Sequence, residues 1–269
     1  VQPGDTLFRL APSEAYQGEA LARLVLAQGL RRVALTFADN ESLIPVAQAF
    51  RDTYTRLGGT VMADRPHEER QPSYREALEE LARGEPEALV VVAYAAESGI
   101  TLIREALADG LFDRFAGTEG LKDNLLLEQL DADSLATIFL AAPSAPPPSP
   151  AAARFDELYA AAYGATADTF FGAQTYDATF LAALAIAAAG STDRRAIRDA
   201  LRAVANAPGE PVEPGEWRKA LMLLGAGQDI DYRGASGPVE LDARGDVPGV
   251  IGHWIARPDG FEEVGLVLP

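Results

Sequence analysis

The first half of the chain alternates two periodicities, and that alternation limits the possible folds more than any other feature. Apolar runs of strand length ("RRVALTFAD", "ALVVVAY", "LATIFLAAP") are separated by longer amphipathic segments such as "SLIPVAQAFRDTYTRLGG" and "ITLIREALADGL". A strand apolar on both sides must be covered on both faces, which is the condition of a parallel sheet between two helical layers. Helical crossovers of about 10–15 residues supply those layers. The pattern predicts strands over residues 6–12, 31–39, 60–66, 88–94, 114–120 and 135–143. It predicts helices over 13–30, with Ser13 as N-cap, and over 42–59, closed by Gly58 and Gly59. Further helices are expected over 73–85 and 97–111, with a weak one at "LLLEQL".

At "APSAPPPSP" (residues 142–150) the alternation stops, because a proline-rich run continues neither a helix nor an inner strand. Beyond it the chain reads as helices over 150–163, 171–189, 193–205 and 216–225. The second, "YDATFLAALAIAAAG", is apolar nearly all round and is expected to be buried on several sides. The end reads as hairpins, with "DARGD" as a first turn and "PDG" as a second. The late helices therefore need a sheet, while the early strands already have helices of their own. This packing problem implies a sheet that the sequence does not contain.

Composition removes several classes of function. A net charge of −17, with 21 Arg and two Lys among 269 residues, argues against binding nucleic acid or an anionic membrane surface. Without cysteine there is no disulfide, thiolate metal site or Cys nucleophile. With only His67 and His253, a His-based metal site is nearly excluded, and no cofactor is expected. The longest apolar run, "FLAALAIAAAG", is too short for a membrane span.

"RFAGTEGLKD" sets Glu119 between a glycine-flanked strand end and a turn. Ligands of doubly wound sheets sit at the carboxyl ends of strands, and glycines allow close approach. The residues alone fit either a ligand carboxylate or a solvated turn acid that caps the next helix. Tyr94, closing "ALVVVAY", fits either an aromatic ligand contact or a plug at the sheet edge. Catalytic patterns are missing. "GASG" lacks nucleophile-elbow spacing, "HEE" at His67 lacks a second His, and "LLGAGQD" lacks the third glycine and preceding strand of a dinucleotide loop. "DARGD" is too short for a calcium loop.

In order along the chain, "LFRLAPSEAYQG", "RRVALTFADNE", "YAAESGITLIREALADGL", "FAGTEG", "TYDATFLAALAIAAAGSTDRRAIRDAL" and "GASGPVELDARGDVPG" resemble the periplasmic substrate-binding proteins of branched-chain amino acid (Leu/Ile/Val-type) ABC importers. The resemblance implies a two-lobed α/β type I periplasmic-binding-protein fold with doubly wound parallel sheets, here without its opening first-lobe segment. It implies a first crossover over 1–11, the second lobe over 12–141 and a Pro-rich crossover over 142–150. The late first lobe then covers 151–248, and 249–269 returns to the second lobe. It further implies a non-enzymatic, extracytoplasmic protein that binds an amino acid or related zwitterion between its lobes and delivers it to a membrane permease. A periplasmic location, an upstream signal peptide and a monomer when complete go with that reading. A ligand-responsive sensor of the same fold, or a binder of amides or aromatic carboxylates, is the alternative.

Within the resemblance, Glu119 matches the acid that receives the ligand's ammonium group, Tyr94 an aromatic lining the cleft, and Phe171 an apolar wall. Ser42 stands where many relatives carry a tyrosine, which implies a roomier or more polar pocket. Glu14 replaces an aspartate and also suits a helix N-terminus. Tyr16 and Gln17 beside it are expected at the cleft rim.

Overall fold

A computed structural model describes residues 6–145, 147–165, 171–247 and 249–267; the Glu14 side chain and Phe170 lie outside the described residues. The chain divides into two compact units. One comprises residues 1–13 and 145–250, the other residues 14–144 and 251–269.

The larger unit is built on one seven-stranded sheet. Its strands are β1 (Arg32–Ala38), β2 (Thr60–His67), β3 (Ala88–Val92), β4 (Phe115–Thr118), β5 (Ile138–Pro143), β8 (Ile251–Arg257) and β9 (Gly260–Leu266), in the order β2-β1-β3-β4-β5-β8-β9. The first five pair in parallel, while β8 and β9 add antiparallel. Alternate residues of β3 enter two separate cores: Val90 and Val92 join Leu35, Phe37 and Phe50, whereas Leu89 and Val91 join Leu102, Ile103 and Phe115. Helices α1 (Glu14–Ala27) and α2 (Ile44–Arg56) cover the first face, and α3 (Arg75–Leu81) and α4 (Ile100–Ala108) the second. Two glycines shape the first face. A Cβ on Gly18 would stand 2.2 Å from the Val46 carbonyl oxygen, so only glycine lets α1 and α2 touch there. Gly58, at φ +90°, ends α2 as expected.

The smaller unit holds α7 (Pro150–Tyr163), α8 (Gly172–Ala189), α9 (Arg194–Ala205) and α10 (Trp217–Gly225). Ser149 caps α7, its Oγ accepting from the Ala152 N–H at 3.1 Å, and Gly164 closes it at φ +66°. Its core gathers Leu181, Leu184, Val204, Val212, Tyr232 and Leu241. A polar knot joins this core: the buried Asp177 carboxylate accepts from Tyr232 Oη (2.7 Å), from the Ala235 and Ser236 N–H groups (2.9 and 2.7 Å) and from Ser236 Oγ (2.6 Å). Burial and the Asp177 charge both push the Tyr232 hydroxyl well above its ordinary pKa.

Several local expectations are corrected. Residues 6–12 make no strand; a single parallel bridge links Arg9 to Asp246, since that segment finds no ladder partner among the described residues. The helix expected over 97–111 opens as a π-helical turn, Ala95–Gly99. The weak helix expected at "LLLEQL" forms as α5 (Asn124–Gln129), but a second short helix, α6 (Ala132–Leu135), follows it because Asp131 caps the Ser134 N–H, so β5 starts at Ile138 and not at residue 135. "PDG" does turn a hairpin, β8–β9. The "DARGD" turn also exists, its Asp242 Oδ1 accepting from the N–H groups of residues 244–246, but the described residues beside it form no strands. Two strands were not foreseen: β6 (Glu210–Val212) and β7 (Ile230–Tyr232) form a small parallel sheet. Finally, α8 buries one face only, through Asp177, Leu181, Leu184 and Ala185, because so small a sheet cannot surround it.

Candidate functional site

In the order β2-β1-β3-β4-β5 the chain direction of assembly reverses between β1 and β3, and the carboxyl edge at such a switch point is where doubly wound sheets bind ligands. Three of the expected residues stand on this edge. Ser42 follows β1; its N–H donates to Asn40 Oδ1 (3.1 Å), which also caps the Leu43 N–H (2.9 Å). Tyr94 follows β3 and is 42% exposed. Glu119 follows β4 at the first position of a 3₁₀ turn, Glu119–Leu121, and is exposed.

Tyr94 and the Glu119 turn are adjacent. A Cβ on Gly120 would lie 3.2 Å from Tyr94 Cδ1 and 2.5 Å from the Ala93 carbonyl oxygen, so Gly120 lets the turn lie directly on the end of β3. Among the described residues the Glu119 carboxylate has no hydrogen-bond or ion-pair partner. It does not cap the following helix, since Asp123 caps α5 through the Leu125 N–H at 2.9 Å. Other acids near this edge are engaged: Glu69 accepts from Asn40 Nδ2 (3.0 Å), and Glu97 is paired with Arg70, which holds its carboxyl below the ordinary range.

The remaining expected residues separate. Tyr16 is half-buried in α1, and Gln17 is buried there. Phe171 belongs to the smaller unit, where it precedes α8 at φ +59° and is exposed.

Sequence reasoning passed over the residues behind the edge. His67 is buried, with Nδ1 2.7 Å from Thr36 Oγ1 and Nε2 2.8 Å from Ser98 Oγ, and burial pushes its pKa down to about 4. The "HEE" stretch drew attention only as a metal motif, and among the described residues no cluster of three or more His, Cys, Asp or Glu could hold a metal. The π-helical turn left no sequence signal, although such turns gather at functional sites. The smaller unit also contains a cavity of about 450 Å³, whose lining includes Pro148, Asp231, Arg233 and Glu240. There Asp231 is buried, pairs with Arg233 at 2.5 Å, and leaves Oδ1 without a hydrogen bond.

Comparison with known proteins identifies the family and the fold. Residues 2–220 match the family model described as periplasmic binding protein. The chemotactic signal transduction system substrate-binding protein BasB of Halobacterium salinarum is 24% identical over 238 residues, covering 87% of this chain and 54% of BasB. A putative branched-chain amino acid ABC transporter structure from Rhodospirillum rubrum superposes with a TM-score of 0.67 at 21% identity, over 96% of this chain and 67% of that one. An ABC transporter solute-binding protein from R. palustris, in complex with benzoate, gives 0.62 at 17% identity, over 97% and 65%. The chain thus spans about half the length of BasB and about two thirds of these solved chains. With a family match over most of its length and a mainly parallel α/β sheet of the same fold, the chain belongs to the periplasmic binding proteins.

Proposed function

We propose that the chain is the ligand-binding part of an extracytoplasmic solute-binding protein that takes up a small zwitterion, an amino acid of the branched-chain kind or close to it, for an ABC permease. The observation that carries this reading is the Glu119 carboxylate, exposed beside Tyr94 at a strand edge and without a partner among the described residues. A carboxylate left unpaired where it can be enclosed makes a short, charge-assisted bond with an ammonium group. The Tyr94 ring adds cation–π attraction to the same charge. In this reading residues 12–141 and 249–269 make one lobe and residues 151–248 belong to the other. Phe171 then bounds the ligand side chain, Ser42 leaves the pocket roomier where relatives carry a tyrosine, and Tyr16 stands at the rim, while Gln17 is buried in α1. The lobes close on the ligand by a hinge motion, without covalent chemistry.

The test is a thermal-shift panel of amino acids, amides and benzoate on the full-length protein, repeated with Glu119→Gln. A ligand at about 1,000 times its Kd adds about 4 kcal/mol of stability, which a melt resolves. Shifts confined to α-amino acids, weakened by at least about 1.4 kcal/mol (tenfold) in Glu119→Gln, are expected. Equal affinity in the variant removes Glu119 from the site. Shifts with benzoate alone favour an aromatic carboxylate, for which Glu119 has no ammonium to meet.

A further inference from the structure

We infer that His67 is a positioning residue for the ligand edge, acting through Ser98 to hold the Ala95–Gly99 turn in register and with it Tyr94 and the Glu119 turn. This inference rests on the reading of Tyr94 and Glu119 as ligand contacts.

The hydrogen bonds around His67 run in one direction. Thr36 Oγ1 carries one hydrogen and donates it to the Arg65 carbonyl oxygen at 3.0 Å. Its contact with His67 Nδ1, at 2.7 Å, therefore needs the hydrogen on the ring. Nε2 is then bare and accepts from Ser98 Oγ–H at 2.8 Å. Thr36, His67 and Ser98 are all buried, so none of these groups can turn to water instead.

Ser98 transmits the constraint. The N–H groups of Glu97, Ser98 and Gly99 all converge on the Tyr94 carbonyl oxygen, at 3.2, 3.2 and 3.0 Å. Gly99 presses on the neighbouring turn: a Cβ there would stand 2.3 Å from Leu121 Cδ2. A shift of Ser98 is thus felt at Tyr94 and at the turn that begins with Glu119.

Among the described residues the ring has no counter-charge. Thr36 faces it from β1 and Ser98 from the π-helical turn, and Tyr74 meets it edge-on at 5.4 Å. The charged groups nearby are engaged elsewhere: Glu97 with Arg70, Glu69 with Asn40, Glu68 with Gln71, and Glu105 with the Tyr74 N–H. A second proton on the ring would reverse the bond, making Ser98 Oγ the acceptor and turning its hydroxyl hydrogen away from the ring, to seek another partner in a buried site. Neutral His67 is the working state.

The experiment combines imidazole and amide NMR with calorimetry on the full chain, in which only two histidines appear. His67 is expected as the neutral Nδ1–H tautomer down to pH 5. The Tyr94 and Gly120 amides are expected to move with the His67 titration and to shift in Ser98→Ala, while the Gly29 amide stays in place. With L-leucine as probe, Ser98→Ala should lose at least about fivefold in affinity, and His67→Gln, which keeps a donor and an acceptor, should lose less than His67→Ala. Tyr54→Phe is the control for a purely structural loss: its hydroxyl bonds the Leu30 carbonyl (3.1 Å) before β1, at the far end of the sheet, and its affinity should not change. If the Tyr94 and Gly120 amides ignore Ser98→Ala, the inference is overturned whatever leucine does. If L-leucine fails to bind the unaltered protein, the amino-acid reading falls, and the amide shifts still decide whether His67 positions the edge.

Discussion

The two units solve the burial problem differently. The larger one spreads seven strands between two helical layers, and residues such as Leu35, Leu89 and Phe50 are completely enclosed. Among its described residues the smaller one has two strands of three residues each and a single core cluster. It leaves Met222 71% and Ile186 45% exposed, the latter on a helix whose sequence is apolar nearly all round. In its place the smaller unit uses polar fastening, with Asp177 taking bonds from Tyr232, Ala235 and Ser236. Apolar area alone therefore does not tell how a segment is stabilised; what matters is whether a sheet lies against it.

The largest effect should come from the enclosed core. Leu35→Ala deletes a fully buried side chain between packed layers and should cost about 4 kcal/mol. Met222→Ala or Ile186→Ala should stay within about 0.5 kcal/mol. Each unit carries one tryptophan, Trp217 in the smaller and Trp254 in the larger, so urea unfolding followed in Trp217→Phe and Trp254→Phe backgrounds reports the units separately. A loss of 2 kcal/mol or more at Ile186, about the size of a core truncation, would mean that this face is covered in solution and would break the comparison.

The second effect tests the polar fastening. Asp177→Ala strands two backbone N–H groups and two hydroxyls in a buried site, for an expected loss of about 3 kcal/mol seen by Trp217 and little change at Trp254. Equal losses at both tryptophans would show the units to unfold as one.

The larger unit should show its own pH dependence. Folded His67 titrates near 4, whereas an exposed histidine titrates near 6.5. Between those values the unfolded chain binds the proton and the folded chain does not. Stability is therefore full above about pH 6.5, falls as the pH drops, and levels off below about 4, with a total loss of up to about 3 kcal/mol. His253 is depressed by burial in the same direction. His67→Gln should flatten the slope of urea midpoint against pH, and an unchanged slope would assign the loss to other groups.

How far the sequence could reveal these features depends on how local they are. The apolar runs of β1 and β3 made both strands legible, because burial on two faces leaves few polar positions, Thr36 being the buried exception in β1. The bounds of α7 were legible because Ser149, Pro150 and Gly164 act within a turn of the residues they stop or start. "EPV" and "IDY" gave no sign of β6 and β7, since each is three residues long and carries Pro, Glu or Asp; their pairing is a tertiary matter. At the candidate site the Gly-Thr-Glu-Gly turn was visible, but the lack of a partner for Glu119 was not. The links of His67 to Thr36 and to Ser98 each span 31 residues and leave no local trace.

The smallest effect concerns the segment read as a strand and found as one bridge. Arg9 is held there by its N–H bond to the Gly245 carbonyl (2.8 Å) and by a two-pronged pair, Nε to Asp246 Oδ1 at 2.8 Å and Nη2 to Oδ2 at 3.2 Å. Asp246 is buried but Arg9 is about a third exposed, so solvent screens part of the attraction. Arg9→Met should cost about 1 kcal/mol at the Trp217 reporter, more than an exposed pair because Asp246 loses its countercharge. Adding Asp246→Asn should restore part of the loss, since the buried group is then uncharged. Phe8 and Leu10 also pack on the smaller unit's core, and the Arg202 guanidinium lies 5.0 Å over the Phe8 ring. If Arg9→Met costs nothing measurable while Phe8→Ala costs 2 kcal/mol or more, as expected for a lost aromatic contact, apolar packing alone fastens this segment. The smaller unit would then depend less on polar fastening than Asp177 suggests.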